Sequence, residues 1–244
     1  APATATAGVT ATFYKATSTV PFTIMVGPGI FAETATLVIP PYVSIVGVNV
    51  TSSTVTTTAN TLLSITNGIS NAVSGCTFVG NGAAGSIAIS VDTISNGLIR
   101  QIRLANADTL FYYTANGFVS SLAFTDVGIG GAFLIGMHID GTGAVKAHGN
   151  YTDCVLTGHT TTTDAILIHG ANASVDINPV CIRGATVNST NGLTIYDGAG
   201  LATGTLEIED CARGIYNPAT GTAPDIHVRS ILYDNVVDIL QQHP

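Results

Sequence analysis

The chain has 244 residues, of which only 9% are charged, and its formal net charge is −8. An acidic chain without a basic patch is not expected to bind nucleic acid, and no apolar run reaches the roughly 18 residues of a membrane span. Four cysteines are too few for a disulfide scaffold, and no Cys-x-x-Cys pair suggests zinc. We therefore expect no nucleic-acid partner, no membrane span, no metal ion and no cofactor. So few charges are unusual for a free monomer and favour packing into an assembly.

The first 19 residues are rich in Thr and Ala and lack a strand pattern. The next block contains three short apolar alternations separated by Pro and Gly, at residues 22–26, 35–39 and 43–46, as expected for about one turn of a coil. Asn-Gly turn signals then recur along the chain without a linker. We therefore predict an N-terminal arm or cap at residues 1–19 and a single β-domain at residues 20–244.

One phrase recurs along the chain: a short apolar alternation around an anchor residue, closed by glycine in its clearest copies. These copies contain Cys154, Cys181 and Cys211, which are 27 and 30 residues apart (181 − 154 and 211 − 181). With the weaker copies, the anchors lie at positions 76, 102, 122, 154, 181, 211 and 231, a mean spacing of about 26. Strand-like alternation at this period predicts an all-β solenoid of about eight to ten turns, a parallel β-helix whose turns bury their apolar faces against one another.

The anchor cysteines are predicted to stack on neighbouring turns inside the coil, where a buried thiol acts as a small hydrophobic group. A disulfide between Cys154 and Cys181 is the alternative that this spacing leaves open. The stack predicts that Cys154 and Cys211 do not react at once with thiol reagents in the native protein.

Two segments carry a family resemblance. Residues 24–33, followed by residues 43–47, resemble the opening turn of right-handed parallel β-helix proteins of the pectin-lyase-like superfamily. Residues 107–111 resemble a Gln-Asp-Thr-Leu-Tyr motif of the pectin methylesterases in that superfamily. The resemblance implies a single-stranded right-handed parallel β-helix over about residues 20–235, a fold that viral and phage structural and tail proteins also use.

The chain departs from the esterases where their chemistry lies. Ala107 replaces the Gln that precedes the first Asp, and Ala132 stands where a second catalytic Asp is expected. The tryptophan of a substrate-binding motif is missing, because the chain contains no Trp. The resemblance therefore implies the fold without intact esterase chemistry.

One set of residues forms the catalytic alternative. Asp153 and Asp210 each precede an anchor cysteine, so they are expected to share a column outside the coil, two turns and about 9.6 Å apart. That is near the upper carboxyl separation of an inverting glycosidase. Arg183 and Arg213 follow their cysteines by two residues and could bind an acidic sugar. The other interpretation is a column of solvated charges with weak cross-turn ion pairs.

Two functional hypotheses follow. The first is a non-catalytic structural β-helix, either a viral capsid-surface, fibre or tail component or another extracellular assembly subunit. It predicts an extracellular or virion location, with self-association or other shell proteins as partners. The resemblance to viral β-helix proteins implies that the self-associated form is a trimer. The second is a carbohydrate-active enzyme, a tailspike-like glycosidase or pectin-lyase-like enzyme, with surface glycans as ligands and Asp153 and Asp210 as catalytic residues.

Overall fold

The protein is described by a computed structural model that covers residues 16–116, 120–143, 145–157, 162–184, 190–196, 200–202, 205–218, 225–226 and 229–241. Every regular element of these residues is a strand, and no helix that could cross a membrane occurs among them. In chain order the strands are β1 (Phe22–Val26), β2 (Gly29–Glu33), β3 (Leu37–Ile39), β4 (Val43–Gly47), β5 (Ser53–Thr57), β6 (Thr61–Ile69), β7 (Ala72–Ser74), β8 (Thr77–Val79), β9 (Ile87–Ser95), β10 (Gly97–Ala105), β11 (Thr109–Thr114), β12 (Ser120–Ile129), β13 (Ile135–Asp140), β14 (Ala147–Thr152), β15 (Cys154–Thr157), β16 (Asp164–His169), β17 (Ala173–Ile177), β18 (Val180–Arg183), β19 (Asn191–Tyr196), β20 (Gly200–Ala202), β21 (Thr205–Glu209), β22 (Arg213–Asn217), β23 (Asp225–Ile226), β24 (Arg229–Tyr233) and β25 (Val237–Gln241).

The strands form a parallel β-helix with three faces. Face A contains β1, β4, β7, β14, β17, β20 and β23, and face B contains β2, β5, β8, β15, β18, β21 and β24. The long strands β10 and β12 turn the corner between these faces and contribute to both. Face C is a separate sheet of nine strands in the described part of the chain: β3, β6, β9, β11, β13, β16, β19, β22 and β25. The predicted all-β parallel solenoid is confirmed.

Each turn lies in parallel register on the one before it. Arg103 pairs with Thr77 and Val180 with Cys154, a step of 26 residues in both cases (103 − 77 and 180 − 154). Because successive strand residues point to opposite sides, this register places apolar residues in continuous inward columns. One column begins at Cys76, Ile102 and Val127 and continues through Cys154, Val180 and Leu206. The pattern that recurs along the sequence therefore reflects the register in which successive turns pair.

Aromatic side chains fill the middle of the coil. The ring centroids of Phe111 and Phe124 are 4.6 Å apart, and those of Phe124 and Tyr151 are 5.5 Å apart. All three residues are buried, as is Tyr113, whose hydroxyl donates to the His148 carbonyl at 3.0 Å. Tilted contacts at such distances stabilise a core beyond the area that they bury.

The predicted stack of Cys154, Cys181 and Cys211 is wrong. Cys154 and Cys211 are buried, but Cys181 is only half-buried and pairs with Val155 and Glu207, which also point outward. The reason is phase: Cys154 is the first residue of β15, whereas Cys181 is the second residue of β18 and faces the other side. Cys211 lies beyond the far end of β21, at a different corner of the coil. All four cysteines are free thiols.

The predicted arm lies mostly outside the described residues. Ala16 packs against the core, Thr17 and Val20 form an isolated antiparallel bridge, and β1 begins at Phe22. The boundary near residue 20 stays a prediction.

These positions predict the order in which the thiols react. Burial raises the pKa of Cys76 to about 11 and those of Cys154 and Cys211 to about 12. Burial also raises the pKa of Cys181, but this thiol is only half-buried and stays accessible. Because the thiolate is the reactive species, we expect only Cys181 to be labelled by a disulfide reagent in the native protein, with the other three reacting on unfolding. Mass spectrometry of tryptic peptides identifies the labelled site, and Cys181→Ser should abolish native labelling. Early labelling of Cys154 would contradict the inward placement.

Candidate functional site

A left-handed backbone residue makes the corner between faces A and B. Gln101, Asp126 and Asp153 have φ values of 50°, 53° and 53°, and Gly75 has 68°. The pairs on either side of each residue place the four in one column. This conformation favours glycine and tolerates Asn and Asp, whose short side chains bond locally. The corner therefore needs such residues for backbone reasons, whatever their side chains bind.

This column forms the floor of a groove of about 580 Å³ that runs along the corner. Arg100 and Arg103 lie beside Gln101, and Asp126 and Asp153 lie on the next two turns. The groove continues onto face B as a depression of about 320 Å³ over Gly128 and Gly130, lined also by Arg103 and Val155. It is a concave site with charged groups of both signs.

The predicted column of Asp153 and Asp210 is wrong. Asp153 directly precedes β15, while Asp210 directly follows β21, and both strands belong to face B. Glu209 aligns through Arg183 with Thr157, so the two carboxylates lie at opposite corners, roughly 16 Å apart along the strand direction and two turns apart in addition. Because the Asp-Cys dipeptide marks more than one corner, the two copies look alike in the sequence. This separation excludes a paired acid and base of a glycosidase.

The predicted arginines are held by other parts of the coil. The guanidinium of Arg183 forms an ion pair with Glu209 on the next turn of face B. Arg213 donates from Nη1 to the Asn191 Oδ1 at 3.1 Å and lies over the Tyr216 ring at 4.5 Å from its centroid. Neither lines the groove that contains Asp153.

The positions that resemble the esterase motif serve the coil. Ala107 is buried, and its methyl group lies so close to Gly80 that a side chain at Gly80 would clash with it. Asp108 accepts the Gly85 N–H at 2.7 Å, and its own carbonyl accepts the N–H groups of Leu134 and Ile135 on the next turn. Ala132 is exposed.

Sequence reasoning missed a second acidic column, on face C. Asp92 and Asp140 lie in register with Thr114 between them, which puts them two turns and about 9.6 Å apart. Tyr112 donates its hydroxyl to the Asp140 Oδ2 at 2.7 Å, and the Thr142 hydroxyl and N–H donate to Oδ1 at 2.6 Å and 2.9 Å. Asp92 directly follows the inward Val91, and Asp140 directly follows the inward Ile139. This shared position in the strand pattern could have revealed the column in the sequence.

The hydrogen bonds of Asp140 argue against a catalytic acid at this position. Burial works to raise the pKa of Asp140, but the bonds from Thr142 and Tyr112 outweigh it, and the pKa lies below its usual value. A general acid near neutral pH requires the opposite shift. The column therefore fits a corner-stabilising role better than proton donation.

Beside this column, His138 is packed edge-on against Tyr112, with 5.1 Å between ring centroids. Its Nε2 is buried and has no hydrogen-bond partner among the residues that the structure describes. Burial lowers the pKa of His138 below its ordinary value, although the carboxylates of Asp140 and Asp164 oppose the shift. The cationic form is therefore disfavoured in the folded chain.

The corner backbone predicts a difference between two substitutions of the exposed Asp153. Asp153→Asn keeps a side chain that tolerates positive φ, so we expect little change in stability. Asp153→Val should lower the free energy of unfolding by about 1–2 kcal/mol, because a β-branched residue is strained there. Urea denaturation measures both. Equal stability of the two variants would argue against the left-handed corner.

The environment of His138 predicts a pH dependence. Because its folded-state pKa is lowered, the unfolded chain takes up a proton that the folded chain does not as pH falls below about 6.5, and stability is lost in that window. We expect His138→Leu to reduce the loss of unfolding free energy between about pH 7 and pH 5. Denaturation curves at both pH values test this expectation, and parallel losses in the two proteins would contradict it.

Two solved structures resemble this chain. A pectin methylesterase in complex with "hexasaccharide VII" aligns with a TM-score of 0.61 and 11% identity over 84% of this chain and 73% of that chain. The ORF18 protein of Geobacillus virus E2 aligns with a TM-score of 0.48 and 12% identity over 88% of this chain and 55% of that chain.

No family model and no curated protein matches the sequence. At 11% identity the esterase comparison concerns the fold alone. The chain thus shares a parallel β-helix fold with the esterase structure, with different residues at the positions that resemble the esterase motif.

Proposed function

We propose that this chain is a structural β-helix, a subunit of an extracellular or virion assembly that associates with further copies of itself through the first turns of its coil. The observation that carries the proposal is the distribution of charge. Between Ala16 and Val91, Glu33 is the only charged residue. Free protein surfaces normally intersperse charges of both signs at much higher density. A surface with so few charges is expected where it is covered by a partner.

Exposed apolar side chains support the same conclusion. Met25, Ile30 and Val38 lie on the first strands of faces A, B and C, and they are 66%, 73% and 65% exposed. Val48, at the tip of the following turn, is also exposed. The strands β1, β2 and β3 each pair with only one other strand in the described structure. Apolar surface and open strand edges together make this end of the coil an association site.

Electrostatics favour a second copy as the partner. Lys15 and Glu33 cancel in the first 91 residues, so the whole formal charge of −8 belongs to the later turns. Two copies repel each other through those turns and can approach closely only at the neutral end. Identical subunits most often assemble with closed cyclic symmetry, and a trimer is the number that the resemblance to viral β-helix proteins implies. Repeated copies of such a subunit suit the shell, fibre or tail of a virion.

The competing hypothesis, a carbohydrate-active enzyme, can be tested directly by mutation. If a glycan is cleaved, Asp153→Asn or Asp210→Asn would have to abolish the cleavage for the predicted pair to act. Because the structure places the two at opposite corners, we expect no dependence on both.

The proposal predicts that charge at the first turn breaks the assembly. Ile30→Lys and Met25→Glu introduce charges on the exposed side chains of faces B and A, where they cost little in the folded monomer. We expect each to shift the full-length protein from oligomer toward monomer in light scattering at micromolar concentration. Leu134→Lys, at an exposed apolar residue in the middle of the coil, is the matched control and should leave the oligomer intact. A wild-type protein that is monomeric under these conditions would overturn the proposal.

A further inference from the structure

The groove at the corner of faces A and B contains four charged side chains without partners. Arg100, Arg103, Asp126 and Asp153 are exposed, and their side chains make no hydrogen bond or ion pair with any residue that the structure describes. Elsewhere on the coil, two pairs of ionisable side chains are joined across neighbouring turns, Arg183 with Glu209 and His148 with Asp176. The groove is therefore a place where the coil presents separated charges of both signs.

The charges are sorted along the coil axis. Arg100 and Arg103 belong to one turn, on either side of Gln101, whereas Asp126 and Asp153 follow on the next two turns. Neighbouring strands are about 4.8 Å apart, so the aspartates lie about 5 Å and about 10 Å from the arginine strand. A matching ligand carries an anionic group and a cationic group separated by a distance in this range.

We propose that this groove binds an extended polypeptide segment with an acidic and a basic side chain two residues apart, contributed by a protein partner. In an extended peptide, residues i and i+2 are about 6.6 Å apart and point to the same side, which matches the spacing of the arginines and aspartates. The acidic side chain lies against Arg100 and Arg103, where a guanidinium can donate two hydrogen bonds to a carboxylate. The basic side chain lies against Asp126 and Asp153.

The other lining residues favour a peptide over a saccharide. Val46, Val48 and Val50 form the wall on the N-terminal side, and Val155 lies on the opposite side. These aliphatic surfaces suit the alkyl parts of lysine and glutamate side chains. Sugar rings bind best on aromatic faces, and the residues that line this groove include no aromatic side chain. The groove shares Val48 with the apolar end of the coil but includes none of the first-turn residues Met25, Ile30 and Val38, and it requires no self-association.

Saturation-transfer NMR on the full chain tests the proposal with four short peptides. We expect acetyl-Glu-Ala-Lys-amide or acetyl-Lys-Ala-Glu-amide to bind at millimolar concentration, and the same-charge peptides with two Glu or two Lys residues to bind more weakly. Arg103→Gln and Asp153→Asn should each weaken the binding roughly five- to tenfold. Lys146→Gln and Asp234→Asn make the same charge changes at exposed residues outside the groove and should leave binding unchanged.

Each other outcome overturns the inference. Absence of binding by both mixed-charge peptides would show that the groove is not a peptide site. Equal binding of a same-charge peptide, or equal loss in the control variants, would reduce it to general charge attraction. Tighter binding of galacturonate than of the peptides, lost in Arg103→Gln, would assign the groove to a saccharide. Repeating the titration with the Ile30→Lys variant, which is expected to be monomeric, shows whether peptide binding depends on the oligomer.

Discussion

The parallel hydrogen-bond ladder between successive turns is the constraint on which the rest of this structure depends. Each turn has to place its strands in register with the turn before it, because every inward residue must meet another inward residue of the core. A shift of one position would turn a buried residue outward, as the half-buried Cys181 shows beside the buried Cys154. The aromatic group around Phe124 is possible because the register brings it beside Tyr151 on the next turn.

The corners are the second requirement, and they tie structure to the candidate site. A strand that must bend sharply within one residue uses the left-handed conformation, and at the corner between faces A and B the residues that supply it are Gly75, Gln101, Asp126 and Asp153. The side chains of Gln101, Asp126 and Asp153 are exposed at this bend. A column of corner residues thus becomes a line of polar groups at fixed spacing, which is how the groove over Gln101, Asp126 and Asp153 obtains its chemistry.

Much of the fold could be predicted from the sequence, because a solenoid repeats its burial pattern with a nearly constant period. The anchors at Cys76, Ile102, Leu122, Cys154 and Cys211 are all buried. The period alone did not show which residue of each copy points inward, and Ile231, another anchor, is 47% exposed. The candidate site was harder to predict for a related reason. An Asp-Cys dipeptide indicates a corner without indicating which one, so Asp153 and Asp210 were placed together although they belong to different corners. Only the pairing of strands distinguishes the two.

The uneven distribution of charge gives the molecule an electrical polarity. All of the formal excess of negative charge lies beyond Val91, so one end of the coil is neutral and the remainder is an extended anion. In solution such a rod is a charged body whose centre of charge is displaced from its centre of mass. At low ionic strength, where the screening length exceeds about 10 Å, approaching copies are turned by their own fields before they touch. The orientation of encounter is thus set at long range, and dissolved salt controls how strongly it is imposed.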